Sequence, residues 1–67
     1  MFKPGQIVWC KKRGKYLQTN YHVKCRVVEY DATVEYGLTV CVLEGHYVGN
    51  TWNVDEEDFV RVGGTVV

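Results

Sequence analysis

The chain has 67 residues, which is enough for one small domain and too few to enclose a deep ligand pocket within a single copy. Its 46% hydrophobic and 24% charged content is that of a globular protein rather than a disordered chain. The sequence contains no run of about 18 apolar residues and no secretory signal, so we expect a cytoplasmic protein with no membrane partner.

The net charge is zero, but the two parts of the chain differ in sign. Residues 1–26 carry seven cations and no acid, whereas residues 27–67 carry eight acids and a single cation, Arg61. Such asymmetry predicts either separate charged recognition surfaces or a fold in which the two halves intermix. The second alternative stays open because a small barrel brings its first and last strands together.

Short apolar stretches separated by turn signals predict five strands. The thirteen valines favour an all-β fold, because β-branched side chains suit a pleated sheet. In the first strand Val8 and Cys10 share one face, and Ile7 and Trp9 share the other. The third strand is a continuous apolar run, which predicts that it is the most central strand. The predicted strands cover residues 7–10, 23–30, 38–43, 51–54 and 59–62.

The connections between these strands carry their own signals. Residues 11–22 form a polar loop of a length that is often functional. Residues 44–50 hold two turn signals, and we favour Gly49-Asn50, or one broad loop, over Glu44-Gly45. The acidic residues 55–58 predict one 3₁₀ turn before the last strand. We assign residues 1–62 to a single domain and residues 63–67 to a tail or a short extra strand.

This order of elements resembles the SH3-like small barrel, which has five short strands, a long loop after the first and a 3₁₀ turn before the last. The resemblance covers residues 4–62. It is carried by Pro-Gly-Gln-Ile-Val-Trp at residues 4–9 and by the segment from Trp52 to Val62. It implies a small, open, five-stranded barrel, and this superfold serves many functions.

Two groups within the superfold share further features with this chain. Residues 5–14 resemble the KOW motif of ribosomal proteins and elongation factors, which implies nucleic-acid binding, although residues 20–24 lack the glycine that this motif expects next. Tudor-like domains are similar in architecture and hold methylated lysine or arginine in an aromatic cage. The chain is rich in aromatic residues but has no cage spacing that could be carried over.

Three cysteines, Cys10, Cys25 and Cys41, lie within apolar stretches. Their odd number and the absence of a C-x-x-C spacing argue against a disulfide framework and against a zinc ribbon. We therefore expect buried, free thiols, no bound metal and no cofactor. No G-x-S-x-G, H-E-x-x-H or P-loop motif is present, and we assign no catalytic residue.

The strongest candidate binding stretch follows the first strand. Its cations suit phosphate groups, its tyrosines can stack on bases, and the alternative interpretation is a solvated loop. Trp9 is predicted to face away from Val8 and could anchor a partner or a second subunit. The primary candidates are Trp9, Lys11, Lys12, Arg13, Lys15, Tyr16 and Tyr21. The secondary candidates lie in the last loop and the acidic turn: His46, Tyr47, Asp55, Glu56, Glu57 and Asp58.

These observations predict a small non-catalytic binding module that contacts a protein partner or a second copy of itself. Its size alone suggests an adaptor, or a regulator encoded by a phage or another mobile element. The alternative is binding of RNA or single-stranded nucleic acid through the polar loop of residues 11–22, called the basic loop below because it begins with a cluster of cations. A second alternative is an enzyme whose site forms only at an interface between subunits.

Overall fold

Five antiparallel strands form one sheet in the computed structural model, which describes residues 2–12, 16 and 23–62. The order of strands across the sheet is β4-β3-β2-β1-β5. A 3₁₀ turn, η1, precedes the last strand, and the all-β prediction is confirmed. The elements are β1 (Ile7–Cys10), β2 (Lys24–Tyr30), β3 (Leu38–Val42), β4 (Thr51–Val54), η1 (Glu56–Asp58) and β5 (Phe59–Arg61).

The core forms on one face of this sheet from side chains at alternate strand positions, which point to the same side of a strand. In β3, for example, Leu38, Val40 and Val42 are buried, whereas Thr39 and Cys41 are half-buried on the opposite face. The register aligns these rows, because Cys25 lies opposite Val42 and Val40 lies opposite Trp52. The buried apolar residues are Val8, Cys10, Cys25, Val27, Leu38, Val40, Val42, Val54 and Phe59.

The strand bounds agree with the predicted ones to within one residue, but the prediction of the central strand is wrong. β2 is in the middle of the sheet, and β3 lies between it and the edge strand β4. The apolar run of β3 reflects partial cover of its second face, where Thr39, Cys41 and Leu43 are half-buried. It is therefore a measure of burial and not of position in the sheet.

The pairing of β1 with β5 brings the two oppositely charged parts of the chain together. Cys10 lies opposite Phe59, and the backbone N–H of Lys11 donates to the carbonyl of Asp58 at 2.7 Å. The acidic turn is therefore adjacent to the start of the basic loop. Among the described residues β4 and β5 are the two edges of the sheet and do not pair with each other, so the sheet is open.

The connection from β3 to β4 is one broad loop, as predicted, and its second turn signal closes it. The N–H of Gly49 donates to the carbonyl of Val42 at 2.8 Å, and the N–H of Asn50 donates to the carbonyl of Tyr47 at 3.0 Å. Gly49 has a φ of 92°, in the left-handed region that glycine enters without steric cost.

The prediction of buried thiols is confirmed for two cysteines and wrong for the third. All three are free, and Cys10 and Cys25 are buried, but Cys41 is half-buried on the outer face of β3. The pattern of β3 misled the prediction, because both of its faces are apolar. Burial raises the pKa of the Cys25 thiol from 9.0 to about 12, with smaller contributions from Cys10, Cys41 and Glu44.

We expect native protein treated with iodoacetamide at about pH 8 to be alkylated at Cys41 well before Cys25. Only thiolate reacts, and the raised pKa of Cys25 lowers its thiolate fraction about a thousandfold. Mass spectrometry of tryptic peptides over time measures both rates. In concentrated guanidinium, as the control, the two cysteines should react at similar rates. Equal rates in the native protein would contradict the buried position of Cys25.

Candidate binding surface

Trp9 lies on the outer face of the sheet, opposite the core. The residues on either side of it in β1, Val8 and Cys10, point into the core and are fully buried, whereas Trp9 itself is half-buried. Its cross-strand partners are Lys24 in β2 and Val60 in β5. Directly opposed side chains on one sheet face are in contact range. Trp9 is therefore set between a cation and an apolar residue on the outside of the sheet.

Exposed cations frame this tryptophan. Lys24 and Arg26 are both exposed at alternate positions of β2, and Arg26 lies opposite Ile7. Lys11 is also exposed and follows β1 directly, so the alternation of the strand places it on the side of Trp9. We call this surface the Trp9 face. It consists of Ile7, Trp9, Lys11, Lys24, Arg26 and Val60.

Two carboxylates mark the borders of the Trp9 face. Glu44 accepts a hydrogen bond from the backbone N–H of Lys24, with an N–O distance of 3.0 Å. Glu29 is exposed at the far end of β2, opposite Thr39. Three cations against one adjacent acid, Glu44, leave the centre of the face positively charged.

The basic loop begins at this face and is attached to the core by a thiol. The Cys10 thiol donates to the carbonyl of Lys12 at 3.2 Å, and the N–H of Lys12 donates back to Sγ at 3.4 Å. The side chains of Lys11 and Lys12 are exposed. Of the other candidates in this loop, Arg13, Lys15 and Tyr21 lie outside the described residues, and their binding role stays a prediction.

Tyr16 joins the basic loop to the acidic turn. Its hydroxyl donates to Oδ2 of Asp58 at 2.8 Å and accepts from the backbone N–H of Asp55 at 3.0 Å. Its ring is half-buried against the core, with its centroid 5.8 Å from that of Phe59. The hydroxyl and much of the ring therefore hold the fold together, and stacking of Tyr16 on a base stays a prediction.

The acidic turn is predicted correctly as a 3₁₀ turn, but only part of it is open to solvent. Asp58 is only 3% exposed, whereas Glu57 is exposed. Asp55 caps η1, because its Oδ1 accepts from the N–H of Glu57 at 3.0 Å. The carboxylate of Glu56 accepts from the Tyr30 hydroxyl at 2.8 Å, and this hydrogen bond raises the pKa of Tyr30.

The remaining candidates, His46 and Tyr47, are exposed in the loop between β3 and β4. His22, the other histidine, lies outside the described residues. In the described part of the chain, no three His, Cys, Asp or Glu side chains are grouped in a way that could hold a metal ion. The sequence-based expectation that no metal is bound stays a prediction.

The binding residues predicted from the sequence do not include four members of the Trp9 face: Ile7, Lys24, Arg26 and Val60. The signal was present, since Lys24 and Arg26 alternate with buried residues in β2. The position of these cations beside Trp9 depends on the register between β1 and β2, in which Trp9 lies opposite Lys24. Sequence alternation predicts the face of each residue but not its cross-strand neighbour.

None of the helical segments that the structure describes has the length and apolar character needed to cross a membrane. Comparisons with protein-family models, with curated proteins and with solved structures found no match.

Proposed function

We propose that this protein is a non-catalytic binding module that recognises a protein partner through the Trp9 face. The observation that carries this proposal is the position of Trp9 on the outer face of the sheet, between Lys24 and Val60. Tryptophan and arginine are the residues most enriched at the energetic centres of protein interfaces. Here a tryptophan and Arg26 are on one face of adjacent strands.

An SH3-like arrangement is the architecture that we propose for this module. The order β4-β3-β2-β1-β5 supports it, as does the 3₁₀ turn immediately before β5. Substitutions at the exposed positions of its outer face, such as Lys24 and Arg26, change stability little, so these positions can vary with the partner. A reducing, cytoplasmic environment suits the three free thiols of this module.

The composition of the Trp9 face favours a protein over a nucleic acid. Apolar side chains, Ile7 and Val60, border Trp9 on β1 and β5, and Glu44 lies beside Lys24. Binding through counterion release strengthens with the number of phosphates that cations neutralise, and this face has three cations, one of them beside Glu44. RNA or single-stranded DNA is the second candidate, since Lys11, Lys24 and Arg26 surround a ring that could stack on a base.

Charge reversal on this face is expected to weaken partner capture from a lysate of the host. The bait variants are Lys24→Glu and Arg26→Glu, and Lys3→Glu is the matched control, because Lys3 is exposed and lies outside the face. Loss of one interface charge contact of about 1.4 kcal/mol lowers affinity about tenfold. We therefore expect the two variants, but not the control, to lose captured protein about tenfold, as measured by quantitative mass spectrometry.

Equal capture by the wild type and both variants would contradict recognition of another host protein through the Trp9 face. Fluorescence anisotropy with labelled single-stranded RNA at about 50 mM salt tests the second candidate. Binding that falls with salt and is lost in Arg26→Glu would favour RNA over a protein partner.

A further inference from the structure

The turn between β2 and β3, residues 31–37, is an exposed projection that is both acidic and apolar. At its tip the side chains of Val34 and Tyr36 are 54% and 47% exposed. Asp31 and Glu35 are exposed beside them, and the turn contains no cation. Hydrogen bonds from Thr33 lower the pKa of Asp31, because they favour its charged carboxylate. Large apolar side chains exposed beside charges are typical of an interaction surface.

The backbone of this turn is braced at several points. The N–H of Asp31 donates to the carbonyl of Gly37 at 3.0 Å, and the N–H of Val34 donates to the carbonyl of Asp31 at 3.3 Å. The Asn53 side-chain amide reaches across from β4 and donates to the carbonyl of Tyr36 at 3.4 Å. The backbone that carries Val34 and Tyr36 is therefore held by hydrogen bonds, so little backbone ordering is needed when the turn binds.

The turn and the Trp9 face are complementary in charge and in apolar content. The face has an excess of two positive charges, since Glu44 offsets one of its three cations, and the turn carries the two negative charges of Asp31 and Glu35. Each surface also offers apolar side chains, Trp9 on the face and Val34 and Tyr36 on the turn. An apolar contact framed by opposite charges is the usual composition of a protein interface.

The two surfaces do not meet within one molecule. Asp31 follows Arg26 by five residues along β2, which corresponds to about 17 Å at the rise of an extended strand. The turn lies beyond the far end of β2, where Tyr30 pairs with Leu38. Charge pairing between the turn and the face therefore requires two molecules.

We infer that the occupant of the Trp9 face is the 31–37 turn of a second copy of this chain. The inference rests on the proposed function and names the partner of the same surface. The contact joins two different surfaces, so it is head-to-tail and generates rings or open chains rather than a closed two-fold dimer. The turn is small, so each contact is of the weak, transient class.

Sedimentation velocity on the purified protein tests this inference. At about 50 mM salt we expect the weight-average sedimentation coefficient to rise with concentration, and about 500 mM salt should reverse the rise, because screening weakens exposed charge pairs. Single substitutions Glu35→Lys and Arg26→Glu should each weaken self-association about tenfold. The doubly substituted chain, Glu35→Lys with Arg26→Glu, should regain it, because the two charges are exchanged between the same surfaces.

Control variants show whether the loss of self-association is specific to the two surfaces. Lys3→Glu changes the charge by the same amount as Arg26→Glu at an exposed position outside both surfaces, and it should associate like the wild type. All substituted positions are exposed, so circular dichroism should show unchanged folding. A wild type that stays monomeric up to about 1 mM at low salt would overturn the inference. Failure of the doubly substituted chain to recover association would also overturn it.

The two proposals fail in different ways. If the purified protein is monomeric while lysate capture still depends on Arg26, the Trp9 face binds another protein, and only the second-copy inference is overturned. If self-association follows the charge exchange, the inference is supported by the purified protein alone. If neither measurement depends on Arg26, the proposed function fails together with the inference.

Discussion

Replacing Gly37 with alanine is expected to lower the free energy of unfolding by about 3 kcal/mol. A Cβ atom at this position would be 2.0 Å from the carbonyl oxygen of Asp31 and 2.8 Å from that of Val34. Both atoms belong to the backbone, so no side-chain rotation relieves the clash, and the hydrogen bond between Asp31 and Gly37 is broken as the chain moves apart. A domain of this size has a stability of only a few kcal/mol, so much of the protein would unfold.

Urea denaturation followed by tryptophan fluorescence measures this loss. Gly45→Ala is the matched control, because its added Cβ meets no atom within 4 Å and only its φ of 87° is unfavourable for alanine. We expect a loss of about 1 kcal/mol for that control. If the Gly37→Ala variant shows no cooperative unfolding transition, its loss of stability is larger than that of Gly45→Ala, as expected. A loss no greater than that of Gly45→Ala would contradict the close backbone approach at Gly37.

Replacing Tyr16 with phenylalanine is expected to lower the free energy of unfolding by about 2 to 3 kcal/mol. The substitution keeps the ring against Phe59 but removes the hydroxyl that donates to the buried carboxylate of Asp58. It also removes the acceptor for the backbone N–H of Asp55. Loss of a hydrogen bond to a buried charge costs about 1.5 to 3 kcal/mol, and an orphaned N–H adds to this cost.

The matched control for this prediction is Tyr30→Phe. Tyr30 also donates to a carboxylate of the acidic turn, Glu56, at the same distance of 2.8 Å. Glu56 is half-buried whereas Asp58 is buried, so water can replace the lost hydroxyl at Glu56. We expect a clearly smaller loss for Tyr30→Phe than for Tyr16→Phe. Equal losses in the two variants would show that burial of Asp58 does not strengthen its hydrogen bond to Tyr16.

Tyr16 shows why the basic loop and the acidic turn cannot be treated as separate surfaces. Tyr16 belongs to the basic part of the chain, yet its hydroxyl contacts both Asp55 and Asp58. The pairing of β1 with β5 adds a backbone contact between Lys11 and Asp58. The two halves therefore intermix at this end of the sheet. The cations of β2, Lys24 and Arg26, are outside this region and remain exposed on the Trp9 face.

Sequence patterns were sufficient to predict the all-β class, the strands to within one residue and the 3₁₀ turn. Strand alternation is a local property, since every second side chain must point to the same face. It placed Val8 and Cys10 in the core and Trp9 on the opposite face, as the structure confirms. The Gly49-Asn50 signal was equally local, because the left-handed conformation at Gly49 is available to glycine at little cost.

The neighbours of each residue across the sheet were decided only by the tertiary structure. Three features depend on contacts between distant parts of the chain. They are the central position of β2 in place of β3, the position of Lys24 opposite Trp9, and the burial of Asp58 where Tyr16 donates to it. Asp58 and Tyr16 are 42 residues apart, and no local periodicity relates them. The sequence by itself thus determined which residues of each strand share a face, because that follows from backbone geometry. Strand order and register, which depend on the packing of the whole core, determined that Trp9 and the cations of β2 share one surface.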